Sequence, residues 1–247
     1  MSHVAFITGS AAPRVGRAIA EAFRQRGYRV VLHGNRARET AGQLAAEWSA
    51  TGEPALAVAG DLSDETVVAN LFSQIQQTFG RLDVLVNSAA IWEPKPLEDV
   101  TASDVRRHFE INTLGTFLCC QQAGRIMVGQ ESGGAIVNLG DWATVRPYLN
   151  YAAYFPSKGA IETLTRDFAV ELAARNTRVR VNAVLPGPVM LPPEMAAEER
   201  AAAIAGTLLK REGHPQHVAS AVLFLAEHEY ITGVCLPVDG GRSIASG

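Results

Sequence analysis

The chain has 247 residues, of which 47% are hydrophobic and 19% charged, with a formal net charge of -3. This composition supports an ample core and excludes disordered, collagen-like and fibrous classes. The slight acidic balance leaves no basic surplus for nucleic acid or an anionic membrane surface, so the expected partner is a small molecule.

Three cysteines, Cys119, Cys120 and Cys235, form neither a disulfide framework nor a metal-ligand spacing. A reducing, cytoplasmic setting is expected. The opening MSHVAFITGS has no basic stretch followed by a long apolar run, so no secretory signal is expected. No window approaches the roughly 18 apolar residues of a membrane span.

In chain order, Val4–Ile7 is the first expected strand. The turn Thr8 to Gly16 leads into a helix over Arg17–Arg26, with Ile19, Ala22 and Phe23 on one face and Gly27 as its cap. Strand Val30–Leu32, helix Arg38–Ser49 and strand Ala55–Ala59 follow. Helix Glu65–Phe79 is entered at Asp64 and closed by Gly80, and leads to strand Val84–Val86. One long helix, entered at Ser103, is expected over Ser103–Val128. Strand Ala135–Leu139, helix Ser157–Ala174 and strand Val179–Leu185 come next. Helices over Ala196–Leu209 and Val218–Ala226 and strand Val234–Val238 complete the set. Most strands are apolar on both faces, as in a parallel sheet covered on both sides. The alternation predicts an α/β fold with a doubly wound, mostly parallel sheet of about seven strands and helices on both faces. No break in composition divides residues 1–247, so one domain is expected. The irregular, proline-rich Gly187–Pro193 falls at the C-terminal edge of the sheet, where such folds bind ligands.

The first strand runs into Thr8-Gly9-Ser10-Ala11-Ala12-Pro13-Arg14-Val15-Gly16. A glycine-containing turn between a first strand and a first helix aims backbone N–H groups at a pyrophosphate, although ordinary tight turns share this composition. NAD sites usually carry an acid near the end of the second strand. Here that stretch is His33-Gly34-Asn35-Arg36-Ala37-Arg38, and the first acid is Glu39. Arg14, Arg36 and His33 can instead surround a 2′-phosphate, which favours NADPH/NADP+. The alternative is a solvated, arginine-rich helix start.

Tyr154-Phe155-Pro156-Ser157-Lys158 is the one Tyr-x-x-x-Lys in the chain. Four residues apart on a helix, the two side chains share a face. The ammonium is expected to lower the phenol pKa, so that the phenol exchanges protons with a carbonyl or imine. A surface pair at a helix start is the other reading.

Thr8-Gly9 to Gly16, Asp61, Asn87-Ser88-Ala89, Asn112, Tyr154 to Lys158, Pro186-Gly187 and Val238-Asp239-Gly240-Gly241 resemble, in order and spacing, the motifs of the short-chain dehydrogenase/reductase family. The resemblance covers essentially the whole chain. It implies a single-domain Rossmann fold, a nicotinamide cofactor, hydride transfer and usually a homotetramer. A dimer is the other option, with Ser103–Val128 and Ser157–Ala174 packing across a two-fold axis. By this resemblance Gly9, Val15 and Gly16 belong to the cofactor turn, and Asp61 and Leu62 lie at the adenine. Asn87, Ser88 and Ala89 lie beside the cofactor, and Pro186, Gly187 and Val189 cradle the nicotinamide. Asn112 holds a relay water, Tyr154 is the acid/base, and Lys158 bonds the nicotinamide ribose.

Three departures narrow the reading. The cofactor turn is one residue longer than usual between Ser10 and Pro13, and Arg14 stands two before Gly16, as in pteridine reductases. The motif after the fourth strand lacks its usual glycine, and Ser88 and Ala89 help shape the pocket. Asp141 occupies the position thirteen before the tyrosine that is normally serine. An ionised carboxylate cannot donate to a substrate oxygen, whereas it can accept from a ring N–H or amino group. Pteridine reductases resemble the chain here too. Where they carry a stacking phenylalanine, this chain has Ile91, followed by Trp92. Trp92, Trp142, Tyr148, Tyr151 and the Met190–Met195 loop are the remaining pocket candidates. The expected activity is NADPH-dependent reduction of a pteridine-like C=N ring, with Asp141, Tyr154, Lys158 and Asn112 as the catalytic set. A carbonyl reductase of 3-oxoacyl carrier-protein or polyol type is the alternative. A non-catalytic NADPH-binding regulator is a further one.

Overall fold

The computed structural model describes residues 2–245. Seven strands form one sheet: β1 (Val4–Ile7), β2 (Arg29–His33), β3 (Leu56–Val58), β4 (Val84–Asn87), β5 (Gly134–Leu139), β6 (Val179–Pro186) and β7 (Cys235–Val238). Their order is β3-β2-β1-β4-β5-β6-β7, and every neighbouring pair is parallel. The order reverses between β1 and β4, which opens a crevice at their C-terminal ends.

Successive side chains along a strand point to opposite faces. Val4 and Phe6 of β1 therefore pack with Val31, Leu85, Ile136 and Val181 in one buried layer. Ala5 and Ile7 pack with Leu32, Val86, Val137 and Val184 in the other. Helices α3 (Glu65–Phe79), α5 (Gly115–Val128) and α6 (Tyr154–Ala173) cover the first layer. Helices α1 (Val15–Gln25), α2 (Arg38–Thr51) and α8 (Pro215–Glu227) cover the second. Among the described residues no helix is long and apolar enough to cross a membrane.

Asp64 caps α3 as expected, accepting from the N–H groups of Thr66 (2.8 Å) and Val67 (3.1 Å). Gly80 closes the helix in the left-handed region. The single helix expected over Ser103–Val128 is a correction. Its entry is at Thr101, which forms a reciprocal capping box with Asp104. The run then divides into α4 (Ala102–His108), a π-helical turn over Phe109–Leu114, and α5. At the π turn a long-range contact meets a local one. Asn112 reaches out of the helix to the backbone of Ile91, and the Thr116 hydroxyl donates to Asn112 O at 2.8 Å. Such turns concentrate at functional sites. Helix α7 (Ala197–Ala205) is four residues shorter at its C-terminal end than expected, because Thr207 is buried and Leu208 and Leu209 turn to bond Gly240 O.

Candidate active site

The cofactor turn is built around Thr8 and Gly9. The buried Thr8 hydroxyl oxygen accepts from the N–H groups of Ser88 (2.9 Å) and Ala89 (3.0 Å), which joins the ends of β1 and β4. Gly9 has φ +65°, and a Cβ there would lie 2.9 Å from Ala89 Cα. A Cβ on Gly16 would lie 2.9 Å from Gly9 O and from Ser88 Oγ. Both positions need glycine, which lets the turn pack directly on Ser88 and Ala89 at the start of α1, where backbone N–H groups can hold a pyrophosphate. The lengthened segment folds back over the sheet. Ser10 and Ala11 are buried, and Ala11 N donates to His33 O at 3.0 Å. Arg17 donates to Ser10 O at 3.0 Å and to Ala11 O, clamping the extra residue in place.

His33 is a correction. It is buried, its Nδ1 accepts from Gly9 N at 3.1 Å, and its Nε2 bonds Gly60 O at 2.9 Å. Burial pushes its pKa down. The neutral ring braces the turn and is not available to a 2′-phosphate. Arg14, at the entry of α1, and Arg36, beyond β2, are both exposed. Asn35 contacts Asp61, whose carboxylate also accepts from the Ser63 N–H (3.0 Å) and hydroxyl (2.8 Å). These bonds hold Asp61 below the usual carboxylate range. Leu62 is buried against Gly115. Asn87 donates to Asn138 Oδ1 at 2.9 Å, and its own Oδ1 is buried without a partner.

At the ends of β5 and α6 the phenol of Tyr154 donates to Asp141 Oδ2 at 2.7 Å. Asp141 Oδ1 accepts from Ala143 N at 2.8 Å. Lys158 is buried, and its Nζ donates to Leu139 O at 2.7 Å. Burial raises the Asp141 pKa, against the opposing pull of Ala143 N–H, Tyr154 and Lys158. Burial and the neighbouring carboxylate push Tyr154 well above the usual phenol range. The expected lowering of the phenol by Lys158 is therefore corrected, because the phenol is buried and Asp141 stands at bonding distance from it. Burial lowers Lys158 to about 8. The site thus holds a proton on a phenol bonded to a carboxylate, one helical turn from a buried lysine. Asn112 is buried with its amide fully engaged. It accepts from Ile91 N (2.8 Å) and donates to Ile91 O (3.0 Å) and Ser157 Oγ (3.0 Å). Ser157 in turn donates to Tyr154 O at 2.6 Å.

Aromatic rings wall the pocket. Trp92 stacks on Tyr151 with centroids 4.9 Å apart and planes 11° apart. Trp142 is buried between Tyr148 on one side (6.4 Å) and the Arg242 guanidinium (5.3 Å), so it forms part of the wall and offers no open stacking face. On the other rim, Pro186 and Gly187 adjoin the turn after β7, with Gly187 N donating to Val238 O at 3.0 Å. Val189 bridges to Gly213, and Met190 is exposed with φ +56°, a strained conformation for this residue. Leu191 N and Arg200 both bind Glu212, which ties this loop to α7.

A family model described as enoyl-(acyl carrier protein) reductase matches residues 10–243. Carbonyl reductase family member 4 of Danio rerio is 38% identical over 245 residues, covering 99% of each chain. The chain belongs to the short-chain dehydrogenase/reductase family. Within it, cis-4-hydroxycyclohexanecarboxylate dehydrogenase of Sinomonas cyclohexanicum is 39% identical over 243 residues, covering 96% of this chain and 95% of that one. A blue fluorescent protein from a metagenomic library, solved in complex with NADPH, superposes with a TM-score of 0.89 at 32% identity, covering 98% of both chains. The chain is an oxidoreductase of this family. Two contacts have no signal in the motifs: Arg17 on the backbone of Ser10 and Ala11, and Ser157 on Asn112. In sequence Arg17 looks like any surface arginine of a helix start, and Ser157 meets Asn112 across 45 residues.

Proposed function

We propose that the chain is an NADPH-dependent reductase of a planar C=N ring that carries N–H donors beside the reducible bond, as dihydropterins and dihydrofolate do. The observation that carries this reading is the 2.7 Å bond from Tyr154 to Asp141 in the place of a neutral donor. When bound, NADPH supplies hydride to the ring carbon. Asp141 accepts from a ring N–H or amino group and orients the ring. Tyr154, whose proton is held firmly at neutral pH, delivers it to the adjacent nitrogen. Lys158 holds the ribose and the positive potential below the phenol. Asn112, fixed to Ile91 and Ser157, positions the pocket wall and the start of α6. Screening NADPH oxidation against dihydrobiopterin, dihydrofolate and small ketones tests this, and turnover of ketones alone would overturn it.

A second reading is supported by the carbonyl reductase and cyclohexanecarboxylate dehydrogenase relatives and by the raised pKa of Asp141. A protonated Asp141 donates a hydrogen bond to a ketone oxygen as serine does. Under this reading ketone reduction falls as pH rises through the Asp141 pKa.

The exposed Arg14 and Arg36 and the missing acid after β2 support NADPH over NADH. Arg14→Ala is expected to remove a charge-assisted contact of about 1.5–3 kcal/mol and so weaken NADPH, not NADH. Equal wild-type dissociation constants for the two cofactors would refute the preference. Free thiols at Cys119, Cys120 and Cys235 fit a reducing, cytoplasmic setting. A homotetramer or dimer is also proposed, supported by exposed Phe109, Leu114 and Phe117 before and within α5 and Val170 on α6. Sedimentation at micromolar concentration is expected to give a multiple of the 26.4 kDa chain, and a purely monomeric boundary would overturn this.

A further inference from the structure

Arg242 lies in the turn that follows β7. Asp239 closes this turn by accepting from the N–H groups of Gly241 (2.9 Å) and Ser243 (2.7 Å), so the nearest carboxylate in sequence is engaged by backbone. The turn is anchored on both sides. Gly240 O accepts from Leu208 N (2.9 Å) and Leu209 N (3.2 Å) beyond α7. Arg146, five residues after Asp141, donates to Arg242 O (3.4 Å) and to Ala245 O. The Arg242 guanidinium lies 5.3 Å from the centroid of the Trp142 ring. It also crosses Gly206, where a Cβ would sit 1.2 Å from Nη1. It therefore spans the gap between the end of α7 and the loop that carries Asp141. Among the described residues this half-buried side chain has neither an ion-pair partner nor a hydrogen-bond acceptor.

A guanidinium with one face on an indole keeps its edge donors, which match a carboxylate in a planar, bidentate geometry. Its partial burial weakens competition from water. We propose that Arg242 is the recognition residue for a carboxylate carried by the substrate, on the side of the ring remote from the reducible bond. Asp141 and Tyr154 meet the reacting end, and Trp142, the residue after Asp141, carries the guanidinium on its ring. Gly206 is part of the device, because any side chain there displaces the guanidinium. The proposal rests on the reading of the pocket as a reductase site for a ring substrate.

The test is calorimetric titration of the NADP+-loaded protein with cyclohexanecarboxylate and with its neutral amide. The wild type is expected to bind the acid roughly 10- to 100-fold more tightly, the span of one charge-assisted bidentate contact. Arg242→Gln is expected to reduce that ratio to about twofold or less. Gly206→Ala should do the same with every charge retained, and Arg242→Lys should keep part of the preference. Unchanged NADPH affinity reports that the variants are folded. Equal binding of acid and amide by the wild type, no binding of either at millimolar concentration, or a preference that survives Arg242→Gln would each overturn the proposal. Steady-state NADPH consumption separates it from the underlying reading. A retained acid preference with no ring substrate reduced removes the reductase reading alone. Ring reduction without an acid preference removes the Arg242 proposal alone.

Discussion

Tyr154→Phe is expected to lower kcat by roughly 10²–10⁴-fold, the span of a positioned proton donor, while the NADPH dissociation constant stays within about twofold. The substitution removes one oxygen and leaves a ring of the same shape in the buried cluster with Trp142 and Phe155. The lost oxygen is the one bonded to Asp141, and it carries the proton that reduction consumes. Because burial and Asp141 raise the phenol pKa, the wild-type donor stays loaded across the neutral range. The proton is available at any working pH, and its removal cannot be compensated by pH. Lys158→Ala should behave differently, weakening NADPH as well as turnover, since the buried ammonium is proposed to hold the ribose. Stopped-flow NADPH oxidation with cofactor binding by fluorescence checks both variants. More than about one tenth of wild-type turnover in Tyr154→Phe would exclude the phenol as donor.

Much of the architecture was legible because the strands are short apolar runs with no polar face to confuse their period, and α3 carries its own start signal in Asp64 and stop signal in Gly80. The π turn was not legible. Periodicity reads Ser103–Val128 as one helix, and nothing local announces that Asn112 will leave the helical register to bond Ile91, 21 residues away. His33 shows the same limit at the cofactor end. Beside Arg36 it looks like part of a basic patch, but its position at the end of a central strand turns it inward onto Gly9 and Gly60. The Tyr154, Lys158 and Asp141 positions were readable because helical spacing and a fixed offset identify them. Their electrostatics were not, since the Tyr154 shift is set first by burial and then by the Asp141 charge beside it, and both belong to the fold. Arg242 carries no sequence signal. Its surroundings come from loops beyond β5, β6 and β7, which meet only at the edge of the folded sheet.

Asp141 is where substrate choice and stability oppose each other, and two substitutions separate them. The carboxyl pKa is raised in the fold, so its contribution to stability is present at low pH, where it is protonated, and is lost as pH rises through the folded value. Above that folded value the ionised, half-buried group is a net cost. Asp141→Asn keeps an oxygen acceptor for Tyr154 and removes the charge, so it is expected to raise Tm on the alkaline side of the Asp141 titration. On the order of 1 kcal/mol relieved at one site moves the midpoint of a chain this size by roughly 2–4 °C. The gain should shrink as pH is lowered towards the ordinary carboxylate range, because the wild-type group protonates. A gain that is constant with pH would assign the effect to packing. Asp141→Ser tests the chemistry. With the carboxylate gone, an amino-bearing ring loses its acceptor and turnover on dihydropterin should fall by roughly 10²-fold. The serine hydroxyl restores a neutral donor, so turnover on cyclic ketones should rise from its low wild-type level. If instead the wild type reduces ketones well at low pH and loses that activity as pH rises, the donor is protonated Asp141. Asp141→Ser should then flatten the pH profile on ketones without lowering its maximum, and the carbonyl reading would replace the heterocycle one.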